Sequence, residues 1–570
     1  MLRSFVFRGP LLAVALTVVG TPVSVFAQTA TPQMIQAPAA QAAQAGQAQT
    51  VKKLTVEDAV KLALEHNLGV QVARVDPQVQ DYVVAQARSN WAPVLTSNIA
   101  TNSISQQPNS ALAGGIDVIS NDQVNGGVGV QQNLKWGTFY TASWNSSRLT
   151  TSNTLASFSP QLRSNFALQV VQPLLRNFQI DAIRQQVLIG EKNRDVAEIG
   201  LEQTISVTSR NTRNAYWNLS YAIASLEVQK QSLELARESL RNNRSRVEIG
   251  TMAPIDIVEA EAEVAQREES VILAEAAIER AEDQLRALIL DPNQPEFWTT
   301  RLEPAEIPPF QPVAINVDEA VRTALDRRTD LRSTKKNIES NDVSIRYFRN
   351  QSMPDVNAQL DYGLSGLGGT QIQRGIGPFG PGTGDVLGQT QRSYSSVLSD
   401  LFNNRYPAWT LSLNVGYPIG TSTAEANLAR SRLQYNQSQT QLKNQQLIVA
   451  TQVRDVGRQV QTNQKRVEAT KSSRQLAERR LEAEEKKFQA GMSTSFFVFQ
   501  AQRDLSQARA NELRAITDYN LSIVDYETVQ QSPLQGSGGV GSITGSVGSS
   551  NTLVSGGNQQ SPQQQQQQQQ

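Results

Sequence analysis

Hydrophobic positions along this chain change their period in a fixed order, and they do so twice. A helical pattern opens near Leu54, gives way to alternating apolar and polar residues, becomes a very long heptad series, turns sharply and closes in a shorter helical pattern. In the first long series Leu219, Leu226, Leu233, Leu240 and Val247 recur every seven residues; in the second, Val449, Val453, Val456, Val460 and Val467 mark the same kind of packed seam. The spacing predicts long helices over 176–249 and 425–490, the first reaching roughly 110 Å at 1.5 Å per residue. No ordinary globular core holds a helix of that length. First helices over 55–90 and 317–352 and return helices over 255–290 and 496–531, stacked end to end, match the long helix beside them. Thr55 with Asp58 and Asn316 with Glu319 cap the two first helices, and Pro77 is expected to kink the earlier one.

Comparing the chain with itself explains the repetition. At one constant offset Val56 pairs with Val317, Ala59 with Ala320, Ala63 with Ala324, Asp81 with Asp342, Arg88 with Arg349 and Pro93 with Pro354; at another, Gly250 pairs with Gly491, Ala260 with Ala501 and Gln266 with Gln507. Repeat 1 therefore covers 54–290 and repeat 2 covers 315–531, joined by a proline-rich linker over 291–314. Strands fall between first and long helix: 94–171 in repeat 1 and 354–417 in repeat 2. Val356, Ala358, Leu360, Tyr362 and Leu364 alternate with polar residues, as do Trp409, Leu411, Leu413, Val415 and Tyr417. Apolar on one face, polar on the other and aromatic near the ends, such strands suit the wall of a membrane barrel. Four per chain cannot close a barrel, so closure needs several copies. A hairpin over 123–150, turning at Lys135–Thr138, is read as an extracellular extension, with added barrel strands as the alternative, and the Gly/Pro-rich stretch Gly366–Gly388 as an external loop.

Composition narrows the chemistry. With Cys 0 and His 1, thiolate nucleophiles, disulfides and the usual zinc or haem ligand sets are excluded, so no catalytic residue, cofactor or metal site is expected. The 52 basic and 52 acidic side chains cancel, which gives no field for nucleic acid. Arg3 and Arg8 before the apolar run Leu11–Val19, with Val25-Phe26-Ala27 behind it, form a signal peptide over 1–27 cleaved after Ala27. Segments 28–53 and 532–570 are expected to be disordered.

Leu54-Thr-Val-Glu-Asp-Ala-Val-Lys-Leu-Ala-Leu-Glu-His-Asn67, Gln172-Pro-Leu-Leu-Arg176 after a strand, and Val247-Glu-Ile-Gly-Thr-Met-Ala-Pro-Ile-Asp-Ile-Val-Glu-Ala-Glu261 resemble the TolC-like outer-membrane efflux protein family over residues 54 to 531. The resemblance implies a mainly α fold with membrane β-strands: a homotrimer whose shared outer-membrane β-barrel continues into a long periplasmic α-helical barrel, two internal repeats per chain. It implies a passive conduit in outer-membrane lipid, served by a periplasmic adaptor and an inner-membrane pump of the RND or ABC class. A periplasmic adaptor or an exported structural coiled coil are the alternatives; the first would show a lipoyl-like β domain, and the second would need no amphipathic strands.

Gating and permeation are then the chemistry sought. Gly250 and Gly491 fit helix C-caps at the two hairpin tips. By the resemblance Asp256, with Glu259 one turn later, falls on an acidic position that narrows the periplasmic aperture. The matching positions of repeat 2 are Phe497 and Gln500, within Phe496-Phe-Val-Phe499, and two roles stand for these phenylalanines: a hydrophobic constriction, or packing of the tip. Glu261, Glu268, Glu275 and Glu282 recur every seven residues, either as a lumen stripe or as partners of nearby arginines. His66 is a surface residue.

Overall fold

The computed structural model describes residues 51–108, 117–306, 310–377, 380–420 and 422–534; the signal peptide with its cleavage after Ala27, the rest of the leading segment to residue 50 and the tail beyond 534 lie outside them. A strand, β1 (Val51–Leu54), leads into α1 (Val56–His66) and α2 (Leu68–Ser89), followed by β2 (Val94–Gln106), β3 (Ile119–Asn133), β4 (Phe139–Thr151) and β5 (Phe158–Pro173). The hairpin α3 (Ala182–Glu248) and α4 (Ile255–Ile289) completes the first copy, and β6 (Arg301–Pro304) sits in the linker. The second copy runs α5 (Val317–Arg327), α6 (Thr329–Gln351), β7 (Asp355–Gly377), β8 (Gly380–Arg392), α7 (Tyr394–Phe402), β9 (Pro407–Gly416), α8 (Thr423–Gln489) and α9 (Ser495–Val529).

Each first helix is two helices. Thr55 and Asp58 form the capping box that starts α1, and Asn316 accepts from the Glu319 amide to start α5. The break comes at Asn67 and Arg328, both near φ −62° with ψ 122° and 128°, whereas Pro77 lies inside α2 without ending it. Asn67 can end one helix and start the next because its side chain accepts from the Val70 amide at 3.3 Å, which supplies a partner for an amide the break leaves orphaned. Arg328 is held at its break by Asp330 and by Gln452 at 2.7 Å.

α3 and α8 are both 67 residues, about 100 Å. α1, α2 and α4 pack along α3, and α5, α6 and α9 along α8, so each long helix carries two shorter ones end to end. Small residues admit the close approach: Ala59 and Ala63 in the first copy and Ala320 and Ala324 in the second are all buried. The heptad seam is the core, with Leu219, Val449, Val453, Val460 and Val467 essentially sealed. Two tyrosines fasten the linker across the helices. Buried Tyr216 donates to the Leu54 carbonyl at 3.0 Å and accepts from the Glu306 amide at 3.2 Å, and burial pushes its phenol up from the ordinary value. Tyr519 donates to the Gln311 carbonyl at 2.9 Å and accepts from the Val313 amide at 3.0 Å. Val51–Lys53, the end of the segment expected to be disordered, and Leu54 after it pair in parallel with β6.

The remaining strands form a seven-stranded sheet in the order β2-β3-β4-β5-β7-β8, with β9 also on β7. Of the two readings of the 123–150 hairpin, the pairing favours added strands: β3 and β4 lie between β2 and β5 in the sheet, and their turn lies at its helix end. Gln132 donates to the Trp91 carbonyl at 2.8 Å, Lys135 stands 6.0 Å over the Trp91 ring, and Gly137, at φ +97°, leaves no room for a Cβ beside the Asn177 carbonyl and Arg184. The Gly/Pro-rich stretch is not the loop expected, because much of it is the upper part of β7 paired with β8. Main-chain pairing needs no side-chain alternation, so glycine-rich sequence conceals it.

Candidate functional site

Both long helices end in the same turn. The Gly250 amide donates to the Val247 carbonyl at 2.9 Å and the Thr251 amide to the Arg246 carbonyl at 2.9 Å; in the second copy Gly491 donates to Phe488 at 3.1 Å and Met492 to Lys487 at 2.8 Å. These pairs define a Schellman cap, with glycine in the left-handed position at φ +78° and φ +73°. Nothing lies within 4 Å of a Cβ built at either glycine, so backbone torsion, not space, demands the residue.

The structure brings the two tips together. Arg246 at the end of α3 stacks 4.5 Å over the Phe488 ring at the end of α8. Ser495, buried at the start of α9, donates to Asp256 Oδ1 at 3.0 Å, and buried Asn243 reaches the Asp256 carbonyl at 3.5 Å. Asp256 is therefore half-buried and engaged by the other hairpin, while Glu259 one turn later is exposed. The phenylalanines differ in burial. Phe499 and Val498 are buried in the tip of the second hairpin, with Val498 packed on Leu481. Phe496 and Phe497 are half exposed, edge to face with ring centres 5.6 Å apart, and Gln500 is half-buried.

The glutamate series does not hold as one stripe. Glu261 pairs with Arg244 and Glu268 with Arg237, both at 2.7 Å and both across α3 and α4. Glu275 is exposed, but Glu282 is buried, accepting from Arg286 at 2.9 Å and from the Leu302 amide at 2.8 Å, so it locks the linker and lines no lumen. Sequence periodicity passed over a more deeply buried carboxylate, Glu263. It is 6% exposed and takes Arg267 of its own helix at 2.7 Å and Arg503 of α9 at 2.8 Å, joining the two copies. Its one sequence signal is a carboxylate one turn beyond buried Ala260, on the apolar side of the helix. Glu485 was also missed: burial first, then Glu238 across the groove and Glu482 beside it, raise its carboxyl above the ordinary range. Among the described residues no group of three or more His, Asp or Glu is placed to hold a metal ion, and no helix is long and apolar enough to cross a membrane.

The sheet is the second functional surface. Its register puts Val128 opposite Trp144, Trp144 opposite Phe166, Phe166 opposite Leu364, Leu168 opposite Tyr362, and Tyr362 opposite Trp409. The other face aligns Gln131, Thr141, Gln169, Asp361 and Thr410 on their respective strands. One face is thus apolar and the other polar along the same strands.

A family model described as outer membrane efflux protein matches residues 139–289 and 320–525. Among solved structures, the outer membrane channel CmeC of Campylobacter jejuni aligns with a TM-score of 0.58 at 14% identity, covering 84% of this chain and 85% of that one. VceC, an outer membrane protein of Vibrio cholerae, gives 0.57 at 15% identity, covering 84% and 96%. The open state of the MtrE outer membrane channel of Neisseria gonorrhoeae gives 0.54 at 15%, covering 84% and 89%. At such identities these structures share the fold. No curated protein matches the chain.

Proposed function

The chain belongs to the outer membrane efflux protein family, and from that premise we propose that three copies of it build one conduit through the outer membrane and periplasm. The family consists of outer-membrane channels of tripartite efflux systems, transport proteins that work with a periplasmic adaptor and an inner-membrane pump, and this chain has the same role and location. In the trimer the three sheets close into one β-barrel with the apolar face toward lipid and the polar face toward water. The helices of repeats 54–290 and 315–531 close into a periplasmic α-barrel, with the linker 291–314 at its waist. The pump is of the RND or ABC class.

The hairpin tips form the periplasmic aperture. Around the trimer, three Asp256–Glu259 pairs alternate with three Phe496–Phe497 pairs, so an acidic ring is interleaved with an apolar one that can exclude water when narrow. Opening parts the two hairpins of each chain. The contacts given up are Ser495 with Asp256, Arg246 with Phe488, and Arg503 with Glu263. The wetter of these contacts are worth up to about 1 kcal/mol and the one at buried Glu263 about 1–3 kcal/mol, within reach of the binding energy of an adaptor.

The observation that carries this proposal is the pairing of a sheet apolar on one face with two capped hairpins about 100 Å long. Purified outer membranes are expected to yield heat-modifiable trimer bands. Fractionation as a soluble periplasmic monomer would overturn the proposal.

A further inference from the structure

At the height of the apolar band the sheet contains more strands than a wall of four per chain. β9 pairs with Asp355–Leu364 of β7, whereas β8 pairs with β7 only from Gly369 onward and lies beyond the band. At band height the neighbours are therefore β2, β3, β4, β5, β7 and β9, six strands of 10 to 23 residues, each long enough to cross. The apolar face runs through the added pair without a gap: Leu95 opposite Val130, Val130 opposite Ala142, Ala142 opposite Leu168, Leu168 opposite Tyr362 and Tyr362 opposite Trp409. The polar face does the same, with Asn98 opposite Gly127, Gly127 opposite Asn145 and Asn145 opposite Asn165. A hairpin standing outside the membrane has no reason to keep lipid-facing and water-facing rows in register with its neighbours.

The two edges say what covers them. Every residue of β2 is exposed, and so is nearly every residue of β9, with Leu95 and Ile99 on one edge and Leu411 and Leu413 on the other all more than 60% accessible. Edge amides and carbonyls cannot be left open in hydrocarbon, and six strands are too few to close around a lumen. β2 leaves the helix end of the sheet and β9 returns to it, so β9 of one copy meets β2 of the next antiparallel, the same sense as every other pair in the sheet. An odd number of strands per chain would break that rule.

We infer that a second copy of this chain docks along the β2 and β9 edges, and that the closed barrel contains eighteen strands, six from each of three chains. The inference rests on the trimer proposed above. Barrel diameter grows roughly linearly with strand number, so the membrane section is about half as wide again as one with four strands per chain. Barrels of this size hold an aqueous channel, which moves the size limit for cargo to the helical tube and its tips.

Because the chain has no cysteine, single sites can be spin-labelled in the full-length protein. Val128→Cys and Ala142→Cys test the added hairpin, and Leu411→Cys on β9 serves as reference because it belongs to the wall under either strand count. After reconstitution into phosphatidylcholine vesicles, labels at 128 and 142 are expected to match 411, relaxed by dissolved oxygen and shielded from a water-soluble nickel chelate. If 411 is shielded while 128 and 142 are open to nickel, the hairpin lies outside the wall and the eighteen-strand barrel falls, with the channel intact. If 411 is also open to nickel, the membrane assignment itself fails. Counting strands by electron cryomicroscopy of the trimer decides independently: eighteen supports the inference and twelve overturns it.

Discussion

The two copies within the chain agree where the backbone must turn and differ in the side chains that follow. Each tip ends in a glycine with φ above +70° and the same pair of capping hydrogen bonds. Ala260 and Ala501 are both buried one turn and a half beyond the turn. Past that common frame the positions part: Asp256 stands where the second copy has Phe497, Glu259 where it has Gln500, and buried Glu263 where it has Asp504. The strands differ as well, since the first copy supplies four strands of the sheet at band height and the second supplies two. Caps and small residues are fixed by chain geometry, while the side chains they present are free to differ. Duplication has left one scaffold carrying two kinds of side chain at its tips.

The comparison breaks most visibly at the turns. Gly250→Pro removes the left-handed conformation and the amide bonded to Val247, at a cost of about 3 kcal/mol. Efflux and cross-linking to the adaptor should both be lost, and Gly491→Pro should behave alike. A large effect at only one tip would show that the copies do not share the docking role. Gly250→Ala should be milder, about 1 kcal/mol, because only the torsion is penalised.

Next in size is the contrast between Glu263 and Asp504. Glu263→Ala leaves Arg267 and Arg503 without their shared carboxylate; about 1–3 kcal/mol is expected, below the fully buried range because Arg503 retains water. Asp504→Ala breaks only an exposed pair with Arg480, at 2.8 Å, and should cost under about 1 kcal/mol. Hydrogen exchange at the tip amides measures both. Equal losses would remove the distinction between a buried junction and a solvated pair.

The lining itself comes third. Asp256→Ala with Glu259→Ala should lower the cation preference of the trimer in planar bilayers, and Phe496→Ala with Phe497→Ala should raise closed-state leakage while leaving ion preference in place. Unchanged current traces in the first variant would take the two acids out of the pore.

The smallest effect is the response to pH. Glu485 has its folded-state pKa raised by burial and by Glu238 and Glu482. An acid raised in this way holds its proton more firmly in the folded tip. Its stabilising contribution is complete below the ordinary carboxylate value and is lost as pH rises through the raised one. Tip protection should therefore grow modestly from neutral pH to about pH 5. Glu485→Gln should flatten that slope, and a slope that persists in the variant would assign it elsewhere.

What could be foreseen divides by the range of the forces involved. Capping boxes, heptad seams and the glycine turns are local, so Thr55, Leu219, Gly250 and their counterparts were legible. The helix break at Asn67 was hidden because Pro77 is the louder breaker, yet the asparagine supplies the hydrogen bond that a break needs. Period-two alternation marked β3 and β4 as strands, but their height depends on the turn at Leu134–Thr138 meeting Trp91, a contact no local pattern encodes. Glu282 kept its heptad position and still left the stripe, because the linker amide at Leu302 lies beside it. The meeting of Arg246 with Phe488 joins residues from different copies and has no sequence signature.

In the conduit proposed here, parting of the two hairpins is the step on which conduction turns, and it can be locked. Asp256→Cys combined with Ser495→Cys puts a thiol pair where a 3.0 Å hydrogen bond now joins the hairpins, in a chain with no other cysteine. In planar bilayers the oxidised, cross-linked trimer is expected to stay shut and to conduct again once reduced. Equal conductance before and after reduction, with the cross-link verified, would contradict the account.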